Sequence, residues 1–243
     1  MATSTPALFD VVPENWERAL AIVAHPDDLE YGAASAIARW ASQGKHITYL
    51  LVTCGEAGID SMPPDECARV RMQEEIDSAA VVGVERVEFL GHPDGLVEAS
   101  LALRRDLVGA IRRHRPDVLI GLNFRETFPF GGFNHADHRA TGWAILDAAR
   151  DAANRWLFVG HGGAPHAARF ALFANSPQAN TYVDIGDTVH LGVESLRAHG
   201  IYLAALADGT AGKDPEPFIR GMATAAGEAV GVDSAVLFER IDL

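Results

Sequence analysis

The sequence is poor in the residues that disulfide scaffolds, membrane spans and nucleic-acid binders depend on. Only two cysteines, Cys54 and Cys67, occur in 243 residues, too few to staple a domain of this size. Both thiols are expected to be reduced, in a cytoplasmic setting. No apolar run approaches the roughly 20 residues that cross a bilayer, and no basic segment leading into an apolar stretch is found near Met1, so neither a membrane span nor a signal sequence is expected. Basic residues are also scarce: 20 Lys and Arg face 33 Asp and Glu, for a net charge of −13. That field repels phosphate backbones and anionic lipid, and the nearest approach to a basic patch is the short cluster Arg112, Arg113, His114 and Arg115. Neither a glycine-rich dinucleotide fingerprint after the first strand nor a Gly-x-Ser-x-Gly elbow is present, which counts against a nucleotide-binding module and against serine-nucleophile chemistry.

What is present is an ordinary globular composition, 48% hydrophobic and 22% charged, with 23 glycines and 12 prolines scattered along the chain. One compact domain over residues 1–243 is expected. Leu20 to Ala24 is a short apolar run of the kind buried on both faces of a sheet. A helical pattern from Glu30 to Gln43 stops at Gly44, a favourable residue just past a helix end. The alternation then repeats, with strands over His46–Thr53, Arg86–Leu90 and Asp117–Leu122 and helices over Asp65–Val82 and Ser100–His114. A helix follows over His138–Asn154, then strands over Phe170–Ala174 and Thr181–Ile185. One or two helices over Asp187–Ala207, a helix over Asp214–Ala229 and a last strand over Ala235–Ile241 complete the reading. Such alternation implies right-handed crossovers and a Rossmann-like α/β fold: a mostly parallel sheet with helices on both faces. Ligands of such sheets sit beyond the carboxyl ends of the strands.

Two clusters lie at those ends. His25-Pro26-Asp27-Asp28 follows the first strand, and adjacent carboxylates there repel unless a cation neutralises them. His135-Ala136-Asp137-His138 follows the fourth strand on the same edge, at the start of a helix. Taken singly, each has a bland explanation: His-Pro is a turn signal, Asp137 serves as a helix cap, and His138 is a first-turn residue. Together they can converge on one point, and two His with one carboxylate and an open fourth position make a catalytic zinc site. Structural zinc sites close with four Cys or His ligands, so this set favours catalysis.

Five segments in order carry a resemblance over residues 20–145: Ala24-His25-Pro26-Asp27-Asp28-Leu29-Glu30, Val52-Thr53-Cys54-Gly55-Glu56-Ala57-Gly58, Arg71-Met72-Gln73-Glu74, Leu90-Gly91-His92-Pro93-Asp94-Gly95 and His135-Ala136-Asp137-His138-Arg139-Ala140-Thr141. The pattern resembles the PIG-L/LmbE family of zinc-dependent N-deacetylases. The resemblance implies His25, Asp28 and His138 as metal ligands and Asp27 as the general base. It makes His135 the residue that steadies the oxyanion or protonates the leaving amine. It further implies substrate contacts from Arg71, Asp94 and Glu56, with a fainter echo at Arg197-Ala198-His199 suggesting a substrate-side His199. The ligand set suits Zn2+ and equally Fe2+, Co2+ or Mn2+.

The chain departs from that pattern at two places. Phe133 stands where several sugar deacetylases of the family carry a tyrosine whose hydroxyl holds the oxyanion, and phenylalanine cannot donate a hydrogen bond. Either Asn134, Asn123 or Arg125 is expected to substitute, or the transition state is expected to differ. After His199, Gly200-Ile201-Tyr202 replaces the family's Ser-Gln. The leading expectation is hydrolysis of an N-acetyl group from a glucosamine-type small molecule, with homo-oligomers common among relatives. The alternative is a metal-dependent hydratase of an unsaturated acid, for which Arg71 and Arg125 would clamp the carboxylate. The aromatic, glycine-rich segment Thr127–Asn134 is expected to be a long loop over the crevice.

Overall fold

A computed structural model of the chain describes residues 9–243. In chain order the elements are β1 (Asp10–Val11), β2 (Arg18–Val23), α1 (Asp28–Gly32), α2 (Ala34–Ser42), β3 (His46–Leu51), α3 (Pro64–Val81), β4 (Arg86–Phe89) and α4 (Leu101–His114). They continue with β5 (Val118–Leu122), α5 (Ala136–Ala153), β6 (Phe170–Ala174), β7 (Thr181–Asp184), α6 (Val189–Arg197), α7 (Gly200–Ala205), α8 (Pro215–Val230) and β8 (Ala235–Asp242). The described residues form one eight-stranded sheet in the order β1-β7-β8-β6-β5-β2-β3-β4. All neighbours pair in parallel except β8, which runs antiparallel to both β6 and β7.

The apolar run of β2 is continuous because both of its faces are covered. Ala19, Ala21 and Val23 face one cluster, with Ile37 and Trp40 of α2, Val193 and Leu196 of α6 and Ala223 of α8. Leu20 and Ile22 face the other, with Leu107 and Ile111 of α4 and Ala144 and Ala148 of α5. Each large aliphatic side chain sealed in this way contributes about 1.5–3 kcal/mol of transfer free energy.

Chain order reverses at β2. From it the sheet grows to β3 and β4 on one side, and β5 then pairs on the other. Parallel strands that diverge like this leave a crevice at their carboxyl ends, and here the crevice opens between the segment after Val23 and the segment after Leu122. The loop after β5 can lie close against α5 because residue 142 is glycine. A Cβ there would stand 2.2 Å from the Cβ of Phe124.

Three details differ from the sequence reading. The helix expected over Glu30–Gln43 is two helices, broken at Ala33 (φ −130°, ψ −12°). The side-chain amide of Asn175 donates to the Tyr31 carbonyl at 3.1 Å, supplying a partner the broken helix no longer provides. α5 begins at Ala136, two residues before His138, with His135 as its cap. The two-residue strand β1 was not anticipated, its pattern being too short to register. Asp187–Ala207, read as one or two helices, resolves into two.

Candidate active site

β2 ends at Val23, and the chain turns sharply through His25-Pro26-Asp27-Asp28 into α1, so Asp28 lies in the first turn of that helix. The Oδ2 atom of Asp28 accepts the backbone N–H groups of Ala24 (3.1 Å) and His25 (2.9 Å), which fixes the carboxylate and turns Oδ1 outward. On the other side of the crevice, the first turn of α5 presents His138. Its Nε2 lies 3.1 Å from Asp28 Oδ1 and 3.2 Å from His25 Nδ1, and His25 Nδ1 lies 3.6 Å from Asp28 Oδ2. A tetrahedral ion with ligands at about 2.0–2.2 Å has ligand-to-ligand edges of about 3.4 Å. Each of the three distances in this triangle of residues is near that length, with Oδ1 of the Asp28 carboxylate turned to His138 and Oδ2 to His25.

Hydrogen bonds behind the triangle decide which nitrogen faces it. His25 Nε2 points at Asp94 Oδ1 (3.1 Å) and Asp137 Oδ2 (3.3 Å). Both are acceptors, so Nε2 carries the proton and Nδ1 presents its lone pair. His138 Nδ1 lies 2.9 Å from the amide oxygen of Asn134, which leaves Nε2 bare in the same way. Two imidazole lone pairs and the Asp28 carboxylate are therefore drawn together, an arrangement that positive charge stabilises: a metal ion or, lacking one, a shared proton. In keeping with this, burial opposes charge on His25, yet the hydrogen bonds to Asp137 and Asp28 raise its pKa well above the ordinary value. Burial likewise raises Asp28, but His138 and His25 together outweigh it and hold the carboxyl far below its usual range.

Asp27 stands beside the triangle. Burial pushes its carboxyl up to about 6, against the opposing pull of the Arg71 cation. Arg71 Nη2 lies 3.3 Å from Asp27 Oδ2, and the guanidinium is stacked 3.8 Å from the Tyr202 ring centre. A carboxylate poised near neutrality is suited to accept a proton from water. His135 is half exposed, and its Nδ1 accepts the Asp137 N–H at 3.3 Å, so Nε2–H is free to donate. Burial and the neighbouring His25 and His138 lower its pKa, keeping the ring neutral.

The residues expected at the substrate sit elsewhere. Arg71 is 2% exposed and bonds the Pro26 carbonyl. His199 is fully buried, 3.7 Å from a carboxylate oxygen of Glu30 and of Glu75. Its burial corrects the substrate-side reading and, with the Arg71 cation nearby, pulls its pKa down to about 3. Asn134 donates to the carbonyls of Asn123 and Arg125 and accepts from His135 N–H and His138, so it positions a ligand and has no donor left for an oxyanion. Asn123 spends its amide on Thr127 and Arg125, and Arg125 pairs with Glu239. Asp94 supports His25, while Glu56 accepts the N–H groups of Asp94 (2.8 Å) and Cys54 (3.3 Å), knotting the loops after β3 and β4 together. Glu56 keeps partial exposure at the rim.

The sequence reading missed Asp137 as more than a cap, along with Glu75 and Tyr202. A signal existed for Glu75: α3 buries Arg71, Glu75 and Ser78, polar residues at helical spacing on an inward face. The loop after β5 does cover the crevice, closed by a bridge between Thr127 and Phe133, with Phe128 stacked on Phe130 and edge-on to His138. An apolar cavity of about 330 Å³ between Tyr31, Phe130, Ile219, Met222 and Leu237 has Glu30 as its one carboxylate and is not the chemical centre.

The model of the PIG-L family, described as GlcNAc-PI de-N-acetylase, matches residues 20–149, the segment that carries both clusters. The chain belongs to this family. Among its relatives is a diacetylchitobiose deacetylase of Thermococcus kodakarensis, 29% identical over 75% of this chain and 69% of that protein. Another is a 1D-myo-inositol 2-acetamido-2-deoxy-alpha-D-glucopyranoside deacetylase of Thermobispora bispora, 30% identical over 56% of this chain and 53% of that protein, so that the match spans about half of that relative's length. The solved N,N'-diacetylchitobiose deacetylase of Pyrococcus horikoshii superposes with a TM-score of 0.82 at 26% identity, over 94% of this chain and 85% of that one. A 4-carboxy-2-hydroxymuconate hydratase of Pseudomonas putida shares the fold at 19% identity with a TM-score of 0.70. Family membership makes the chain a metal-dependent enzyme of the de-N-acetylase type.

Proposed function

We propose that this PIG-L family member removes the N-acetyl group of a glucosamine-containing small molecule, with zinc held by His25 Nδ1, His138 Nε2 and the Asp28 carboxylate. The observation that carries the reading is the close approach of His25 Nδ1, His138 Nε2 and the Asp28 carboxylate, with Asp27 at their side. A zinc ion there supplies a Lewis acid that polarises the amide carbonyl and lowers the pKa of water. Asp27 takes a proton from the attacking water as the new C–O bond forms at the acyl carbon. His135 Nε2–H donates to the carbonyl oxygen as charge develops on it. When the C–N bond breaks, Asp27 returns its proton to the departing amine, so water and amide become acetic acid and a free amine, which then exchange a proton to leave acetate and an ammonium group. His135 thus performs the service that Phe133 cannot, and Glu56 at the rim is the substrate contact that the geometry leaves available.

The hydratase alternative loses support on one point. The arginines it needs are both committed, Arg71 to Pro26 and Asp27 and Arg125 to Glu239. The cytosol remains our reading of the compartment, supported by two unpaired thiols and by an acidic surface. Among the described residues no helix is long and apolar enough to cross a membrane. Exposed Phe130, Phe133 and Trp143 support self-association into a homo-oligomer.

The deciding experiment joins elemental analysis of the purified protein to amine release from N,N'-diacetylchitobiose and related N-acetylglucosamine derivatives, with and without chelator. About one zinc per chain and chelator-sensitive release are expected. Stoichiometric metal without release from any member of the panel would overturn the substrate class, and failure to take up metal would overturn the site.

A further inference from the structure

One face of α3 grips both ends of a single peptide unit beside the base. His25 to Asp28 form a tight turn, with the Asp28 N–H directed at the His25 carbonyl (3.4 Å) and Asp27 at φ 93°, ψ −18°. Those are the angles of the third residue of a type II turn. Proline is favoured just before it, but the third position ordinarily calls for glycine or asparagine because φ is positive. An aspartate held there carries backbone strain that its surroundings must sustain.

In a type II turn the central peptide is rolled over relative to type I, and here both of its polar groups are caught. The Arg71 guanidinium donates to the Pro26 carbonyl, and the Asp27 N–H donates to Glu75 Oε2 at 3.1 Å. Arg71 and Glu75 are four residues apart on α3, so they lie on the same helix face, and they are 2% and 0% exposed. The loop after β3 makes room for this grip: a Cβ on Gly58 would stand 2.6 Å from Arg71 Nη1. Behind Glu75, His199 Nε2 lies 3.7 Å from Oε2. Rolling the peptide back would withdraw the N–H from Glu75 and the carbonyl from Arg71, and would swing the Cα–Cβ bond of Asp27 to a new direction.

We propose that Arg71 and Glu75 are positioning residues that clamp the Pro26–Asp27 peptide in its type II orientation and thereby aim the Asp27 carboxylate at the attacking water. The proposal rests on Asp27 as the base of the reaction described above. Neither clamp residue touches substrate; each acts through Asp27.

The test uses the full chain loaded with zinc, N,N'-diacetylchitobiose as probe, and crystal structures of the variants as a readout independent of turnover. Glu75→Leu, which lacks an acceptor, is expected to lower kcat at least tenfold with KM within twofold and zinc content unchanged, and to return Asp27 to negative φ. Glu75→Gln, whose amide oxygen can accept the same N–H, is expected to recover most of that turnover. Combining Arg71→Met with Glu75→Leu should cost less than the product of the single losses, because both hold one peptide. Unchanged kcat in Glu75→Leu with Asp27 still at positive φ overturns the clamp, as does a loss confined to KM or to zinc content. If Glu75→Leu does not fold, kcat and the Asp27 φ in Arg71→Met decide by the same criteria. An inactive Asp27→Asn beside a fully active Glu75→Leu removes the clamp alone, whereas a fully active Asp27→Asn removes the base assignment. If no probe is turned over, the φ of Asp27 in the variants decides the clamp by itself.

Discussion

Asp137 gives the most demanding test of the proposed metal geometry, because in that geometry it acts only through His25. Its carboxylate is fully buried and accepts Gly95 N–H (2.8 Å), Val97 N–H (3.2 Å) and His25 Nε2 (3.3 Å). Asp137→Ala strands two backbone donors, and a donor left unsatisfied in a buried setting costs about 1–3 kcal/mol. We expect a stability loss of about 2–4 kcal/mol in the metal-free protein, reduced because water can enter beside Gly95, which is exposed. The same change removes one of two acceptors that hold the His25 tautomer, and lost support of this kind weakens metal binding about 10–100-fold. Asp137→Asn keeps one acceptor oxygen and should fall between the two. The assay is zinc competition against a chromophoric chelator, run beside urea unfolding of the apo forms so that the two effects separate. A zinc affinity equal to wild type in Asp137→Ala, with the expected loss of apo stability, would refute the argument that Asp137 orients His25.

Asp27→Asn should keep about one zinc per chain while losing at least 100-fold in turnover, since an amide does not accept the proton; elemental analysis and amine release check both halves. Arg112→Met should destabilise the segment after α5 by about 2–4 kcal/mol, because the Arg112 guanidinium donates to the carbonyls of Asp151, Ala152, Asn154, Leu157, Phe158 and His161. Hydrogen exchange confined to residues 151–161 would report it, and wild-type protection there would contradict it. The pH prediction concerns His199, whose pKa burial depresses from 6.5 to about 3. The unfolded chain takes up this proton near pH 6.5 and the folded one only near 3, so the contribution to stability is complete above about pH 6.5 and is lost as pH falls toward 3. Relative to His199→Gln, wild type should lose up to about 1.4 kcal/mol per pH unit across that window. Urea midpoints of the two proteins at pH 7 and pH 5 would show it, and a constant difference would exclude it.

Much of this was legible in the chain. The apolar run of β2, the β-branched segment of β3 and the alternation with helices follow from local pattern, since a strand buried on both faces must be apolar throughout and a crossover needs a helix. The clusters at His25–Asp28 and His135–His138 were legible for a related reason: adjacent charges at strand ends are costly unless something neutralises them. The break at Ala33 was not legible, because the group that satisfies the freed Tyr31 carbonyl comes from Asn175, 144 positions away. The role of Asn134 was misjudged because its sequence neighbours suggested a spare donor, while its four hydrogen bonds are made by backbone and side chains that the fold brings to it.

The sequence by itself determined the alternation that builds the parallel sheet, the family, and the residue types able to hold a metal, because these depend on local pattern and on chemistry carried by individual side chains. Only the tertiary structure decided which nitrogen of each histidine faces the centre, that Arg71 and His199 are buried supports, and that Asp27 stands in a strained turn held by α3. Those properties belong to pairs of groups far apart in the chain, and a hydrogen bond or a buried charge has no meaning until folding supplies its partner and removes its water.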